Sequence, residues 1–346
     1  MTDAVRHSRR DLIWPFLILG ALLVAWTFWW FYLVGRIETG LQARAEALRQ
    51  SGWTVDLGEV STTGWPFRTR VALPQPRLLA PSGQGLSASG LVAEANAWNP
   101  DHWVIIAPDG LTLERGIKGP VAIRGDALRF SASGLTQPFP RMALELVNPV
   151  FGTRPGAEAF PLRQAARVTL ETRANASSAS DLDVRFGVQD AVGRSGGPVE
   201  GMTGNGRLTL VIEAVIQKAT ALKGADPAGV FAGWTRSGGR FTRLRGMVST
   251  GESRATLRSD VLAARPDGRL DGTVSVSAQR PGPAIAGLAG ARSGAVNPAG
   301  AAGAAAVAGS GSGAGATDQS VDLTLTFRDG RTWLGPFALA PAPKLF

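Results

Sequence analysis

The chain has 346 residues, enough for a sizeable core, and its 44% hydrophobic and 18% charged content excludes wholesale disorder. It contains no cysteine, which removes disulfides, thiolate metal sites and cysteine nucleophiles. The net charge is +9, yet only Lys118, Lys218, Lys223 and Lys344 are lysines, and the arginines are scattered along candidate strands. That basicity lacks the clustering a nucleic-acid surface needs, so no nucleic-acid partner is expected.

Residues 1–11, MTDAVRHSRRD, place Arg6, Arg9 and Arg10 directly before an uncharged run over 12–35. As a helix, Leu12 to Val34 spans about 35 Å, long enough to cross a bilayer with some tilt. Trp14 stands at the near end of the run and Trp26, Trp29, Trp30 and Tyr32 at the far end, the depths that amphipathic rings favour. The run exceeds a signal peptide's apolar region and no small-residue cleavage pattern follows it, so it reads as an uncleaved signal anchor. The basic residues hold residues 1–11 in the cytoplasm, and everything after Arg36 is translocated. With arginine favoured over lysine and Ala and Gly abundant, the pattern predicts a single-pass bacterial inner-membrane protein with its main domain in the periplasm. The partners open to such a domain are the inner membrane itself, phospholipid or other envelope lipid, cell-wall sugars and envelope proteins.

Residues 36–50, RIETGLQARAEALRQ, carry Ile37, Leu41, Ala45 and Leu48 at helical spacing and predict a polar helical stalk ended by Ser51 and Gly52. From 51 to 346 the dominant period is two. Phe67, Thr69, Val71 and Leu73 share a face opposite Arg68 and Arg70. Leu182, Val184 and Phe186 alternate with Asp181, Asp183 and Arg185. Leu270, Val274 and Val276 form a third set, and Val321, Leu323, Leu325 and Phe327 a fourth. Shorter versions occur at Val168–Leu170, Val121–Ile123 and Ala255–Leu257, with PDG, GDA and RDG turns between strands. One apolar face and one polar face mark antiparallel strands wetted on one side.

Two covering helices are expected among the strands. From Leu208, the residues Val211, Ile212, Val215, Ala219 and Leu222 make an apolar stripe closed by Gly224. Asp226 and Pro227 then supply an N-cap and a first-turn proline for a short helix to about Thr235. Residues 290–316 are almost entirely Gly, Ala and Ser and predict a flexible, disordered loop interrupting the domain. The fold class expected is therefore mainly β: a transmembrane helix followed by a long curved antiparallel sheet, an open groove or incomplete barrel, with two short covering helices.

Prolines crowd the strand at 67–73, at Pro66, Pro74, Pro76 and Pro81, and the tail repeats the pattern in GPFALAPAPKLF. A proline cannot donate to a ladder, so these segments are expected to protect the two edges of an open sheet. The arginine-led span, the GWPF segment holding Trp65, Pro66 and Phe67, and the closing DGRTWLGPFALAPAPKL with Gly335, Pro336 and Phe337 resemble the bacterial domain-of-unknown-function family 2125. More distantly, the layout is similar to AsmA-like envelope proteins. The first resemblance implies a membrane-anchored envelope protein without a settled activity; the second implies an elongated open β-groove linked to lipid transport. Neither carries catalytic residues onto this chain.

Reactive groups are sparse. His7 precedes the span, and His102 sits beside Asp101 on alternating positions without a G-x-S-x-G elbow. The carboxylate pairs Asp181 with Asp183, and Glu94 with Asp101, fall where a solvated or structural role is the default. GRSGGP and GMTGNG lack the lysine of a phosphate loop. No catalytic, metal or cofactor site is therefore expected. The leading reading is a non-enzymatic protein that handles lipid on an apolar groove face built from Val71, Leu73, Leu182, Val184, Phe186, Val274, Val276, Leu323 and Leu325. The alternatives are an anchored envelope hydrolase and a purely structural or interaction domain.

Overall fold

The computed structural model describes residues 9–346 apart from 225, 293, 295 and 311–319, with side chains from residue 13 onward except that of residue 310. The expected span and stalk are one unbroken helix, α1 (Arg9–Gln50). It is long and apolar enough to cross a membrane. Its last turns do not stand free. Ala45 is buried and Ile37, Leu41 and Leu48 are half-buried, so the predicted apolar stripe docks on the domain. Thr62 donates its hydroxyl to Glu38 at 2.7 Å, and Arg49 reaches the Val55 carbonyl.

Among the described residues the chain then forms β1 (Thr54–Asp56), β2 (Ser61–Thr63), β3 (Arg68–Pro74), β4 (Arg77–Leu79), β5 (Gln84–Ala88), β6 (Gly90–Asn96), β7 (Asn99–Ile106) and β8 (Leu111–Arg115). It continues through β9 (Val121–Arg124), β10 (Ala127–Ser133), β11 (Arg141–Val147), β12 (Val150–Thr153), β13 (Leu162–Gln164), β14 (Arg167–Ala174) and β15 (Leu182–Gly193). After α2 (Pro198–Thr203) come β16 (Leu208–Ile216), α3 (Pro227–Arg236), β17 (Arg240–Thr250), β18 (Ser253–Ala264) and β19 (Leu270–Gln279). Helices α4 (Pro281–Ala289) and α5 (Pro298–Ser310) precede the closing β20 (Ser320–Arg328), β21 (Arg331–Leu334) and β22 (Phe337–Pro341).

Every strand pairing is antiparallel. The main sheet runs β2-β3-β6-β7-β10-β11-β14-β15-β16-β17-β18-β19-β20-β21-β22. A smaller sheet runs β1-β4-β5-β8-β9-β12-β13 and joins the main one through the long strand β15. The chain passes back and forth between the two. Strands β3 and β4, β5 and β6, β9 and β10, β11 and β12, and β13 and β14 are each one extended run broken at a corner. Neither sheet closes on itself, so the architecture is the open antiparallel sheet that the periodicity predicts.

The corners correct the reading of the prolines. Pro76 and Pro149 are fully buried, each preceded by a left-handed residue, Gln75 (φ 51°) and Asn148 (φ 48°). They stand where β3 turns into β4 and β11 into β12, and their carbonyls accept from Ala88 and Ala165 across the bend. A missing donor and a fixed φ suit a sheet-switching corner. Strand β3 lies between β2 and β6, so it is not an edge. The tail strand β22 does end the main sheet, but α5 covers it: a side chain at Gly303 would strike the Phe337 ring, and Asn297 bonds the Ala338 and Leu339 carbonyls.

Two further expectations change. Residues 208–216 form a central strand, with Leu208, Ala214 and Ile216 buried and a 3-10 turn at Ala219–Ala221 behind it. Val211, Ile212, Val215 and Ile216 are β-branched, and pairing on both sides favours strand over helix. Within the supposed disordered loop, 298–310 is helical and buries Ala301, Ala304 and Ala308; residues 311–319 lie outside the described set. Small side chains permit close packing of α5 on α4 and β22. The short helix after Asp226 forms as expected, the Asp226 carboxylate accepting from Ala228.

Candidate functional site

The two-sheet corner encloses the largest core cluster. Leu128, Leu146, Val168 and Val188 align across β10, β11, β14 and β15 and are buried against Val121, Ile123 and Phe151 of the smaller sheet. Two residues further along each strand, on the same face, lies a second file. Val71, Ala93, Ile105, Phe130, Leu144, Leu170, Phe186, Ile212, Gly246, Leu257, Val276 and Leu323 are direct cross-strand partners through twelve strands, from β3 to β20. At about 4.8 Å per strand the file is about 50 Å long. Val71 is buried, but from Ala93 onward the file is half-buried, and Leu170 is 38% exposed. No polar side chain interrupts it.

Of the predicted groove residues, Val71, Phe186, Val276 and Leu323 stand in this file, and Leu73 and Val184 flank it. Leu182 and Val274 do not face an open surface. Leu182 packs with Trp234 of α3, whose indole donates to the Gln217 carbonyl, and Val274 packs with Leu262, Phe327 and, partly, Leu325. The alternation of each strand was visible in the sequence. The register that joins the strands into one file was not, because it depends on loop lengths and on bulges such as the one between Glu213 and Val215.

The opposite face is a charge ladder. Glu171, Arg185, Glu213, Arg245 and Arg258 are consecutive cross-strand partners. Arg141, Arg173 and Arg243 join the first four of these around a shallow cavity of about 600 Å³ that Asp183 and His102 also line. Arg173 pairs with Asp183 at 3.3 Å and Arg185 with Glu213 at 3.5 Å.

The reactive candidates are dispersed. Asp101 accepts from the backbone amides of Gly134 and Leu135, while exposed His102 points to the other face. Glu94 pairs with Arg70 and Arg68. Burial alone would raise the Asp181 pKa, but bonds from the Lys218 amide, Ser180 and Ser178, with Arg243 nearby, hold it below its usual value. These carboxylates act on backbone and arginine.

The aromatics expected to form a membrane belt pack in part against the domain. Trp14 and Tyr32 are exposed, but Trp26, Trp29 and Trp30 donate their indole N–H groups to the carbonyls of Pro66 (2.8 Å), Ala97 (3.4 Å) and Arg68 (2.9 Å). Trp30, Leu33 and Ala97 are buried together. Trp65, Pro66 and Phe67 thus form the turn entering β3 at the foot of the domain. Gly335 (φ 57°), Pro336 and Phe337 form the turn into β22 at the other end of the sheet.

A family model described as "Uncharacterized protein conserved in bacteria (DUF2125)" matches residues 30–343. No curated protein and no solved structure matches the chain, which leaves the AsmA-like expectation without support from known relatives.

Proposed function

We propose that this chain, which belongs to the DUF2125 family, is an inner-membrane-anchored envelope protein that holds lipid tails along the apolar file, without catalysing a reaction. The observation that carries this reading is the half-covered file from Ala93 to Leu323. A core file is normally shut on both sides, and an exposed contiguous apolar strip marks a binding surface. One leaflet's hydrocarbon tail is about 15 Å long, so a strip of about 50 Å exceeds a single tail several-fold. The exposed helix surface from Ile13 to Leu23 supports the anchor, and the arginines before it support a cytoplasmic N-terminus with the domain outside.

The absence of cysteine gives a clean test. Leu170→Cys and Leu257→Cys, each carrying a benzophenone, are expected to crosslink phospholipid on illumination in bacterial membranes, detected as a mass increment. Met247→Cys, on the charged face and 63% exposed, is expected to give none. Equal labelling of both faces, or none at 170 and 257, would sink the reading.

A further inference from the structure

Besides its helix, the domain has a foot of exposed aromatics. Trp65, Phe67 and Trp98 are 48%, 63% and 60% exposed, and the Phe67 and Trp98 rings meet edge to face at 6.3 Å. Rings of this size are seldom left in water together. Their height is fixed by α1, because the tryptophans that bond the foot are at positions 26, 29 and 30. Trp30 and Trp26 lie about 6 and 12 Å before Val34, the end of the apolar run. Hence the foot sits level with the apolar run, beneath its outer end.

The backbone of the foot is fitted to such a place. The carbonyls of Pro66, Arg68 and Ala97 each accept an indole N–H. Those of Gly64 and Phe67 accept from the Arg68 and Ala97 amides. In hydrocarbon, backbone polar groups must be satisfied within the protein, and these five carbonyls are. Arg68, exposed and 3.6 Å from Glu94, has a stem long enough to carry its charge up to head groups.

We infer that the foot formed by Trp65, Phe67 and Trp98 is embedded in the outer leaflet of the membrane that α1 crosses, as a second, non-spanning membrane contact. The inference rests on the membrane-spanning part of the proposed function, and it is independent of whether lipid occupies the file. The foot sets the start of that file, Val71, four residues from Phe67 along β3, about 13 Å away. Val71 is itself buried, so the half-buried part of the file begins one strand further on, at Ala93.

The test uses the full chain in phosphatidylethanolamine–phosphatidylglycerol vesicles, with an environment-sensitive fluorophore on single cysteines and nitroxide quenchers at different depths on the lipid tails. Labels at Phe67→Cys and Trp98→Cys are expected to emit blue-shifted and to lose most emission to a nitroxide high on the tail. The label at Met247→Cys is expected to be quenched only by aqueous iodide. Leu19→Cys, in mid-span, reads the helix itself. Quenching at 19 by deep nitroxides with only iodide quenching at 67 and 98 would overturn the foot while leaving the anchor intact. Aqueous quenching at 19 would remove the spanning helix and the foot with it.

Discussion

Leu144 and Leu146 stand on the same strand and the same face, two residues apart, yet one is half-exposed and the other is 5% exposed. The same contrast holds for Leu170 against Val168 and for Phe186 against Val188. Side-chain chemistry does not separate the files. Position relative to the corner does: the strands bend just beyond Leu146, and the smaller sheet folds over that file, with Leu144 and Phe186 of the second file packed only at the margin of the same cluster. Past β15 the smaller sheet ends altogether, and short helices take over at the rims. Openness in this molecule is therefore set by where a strand turns.

The largest effect should come from the shut file. Leu146→Ala removes a fully packed side chain, and a loss of about 2–5 kcal/mol is expected from denaturant unfolding followed by circular dichroism. Next comes the bend itself. Asn148 holds φ at 48° and donates its side-chain amide to Asp126 at 2.7 Å. Asn148→Ala should cost about 2 kcal/mol, from the left-handed backbone and the lost bond together. Asn148→Gly should recover the backbone share, leaving only the bond. Equal losses for the two variants would mean that the bend is held by Pro149 and its neighbours, and the corner would lose its special role.

How far this contrast was legible follows from the same geometry. Alternation at Leu182–Phe186, Leu270–Val276 and Val321–Phe327 named real strands because each is wetted on one face. The strand at Leu208 reads as a helix in sequence because it is central and carries apolar residues on both faces, which blurs a period of two. The Gly/Ala helix at 298–310 was invisible because its burial comes from close backbone approach, and no apolar stripe announces that. Pro76 is conspicuous in the sequence, but a proline at an edge and a proline at a corner look alike until the pairing partners are known. For the candidate site, sequence supplied individual residues such as Phe186 and Val276, while tertiary register decided which of them form a line.

The smallest effect is the most discriminating. Leu170→Ala deletes as many carbon atoms as Leu146→Ala, from the next strand and the adjacent file, where 38% of the side chain is exposed. Little new cavity forms at a site already open on one side, so the expected loss is below about 1 kcal/mol. The unfolding midpoint should scarcely move in detergent, whereas lipid bound along the file should protect the wild type more than the variant when phospholipid is added. Stabilisation by lipid that is unchanged in Leu170→Ala would separate the file from the ligand. A loss as large as that of Leu146→Ala would show that the second file is packed like the first, and the difference between the two would vanish.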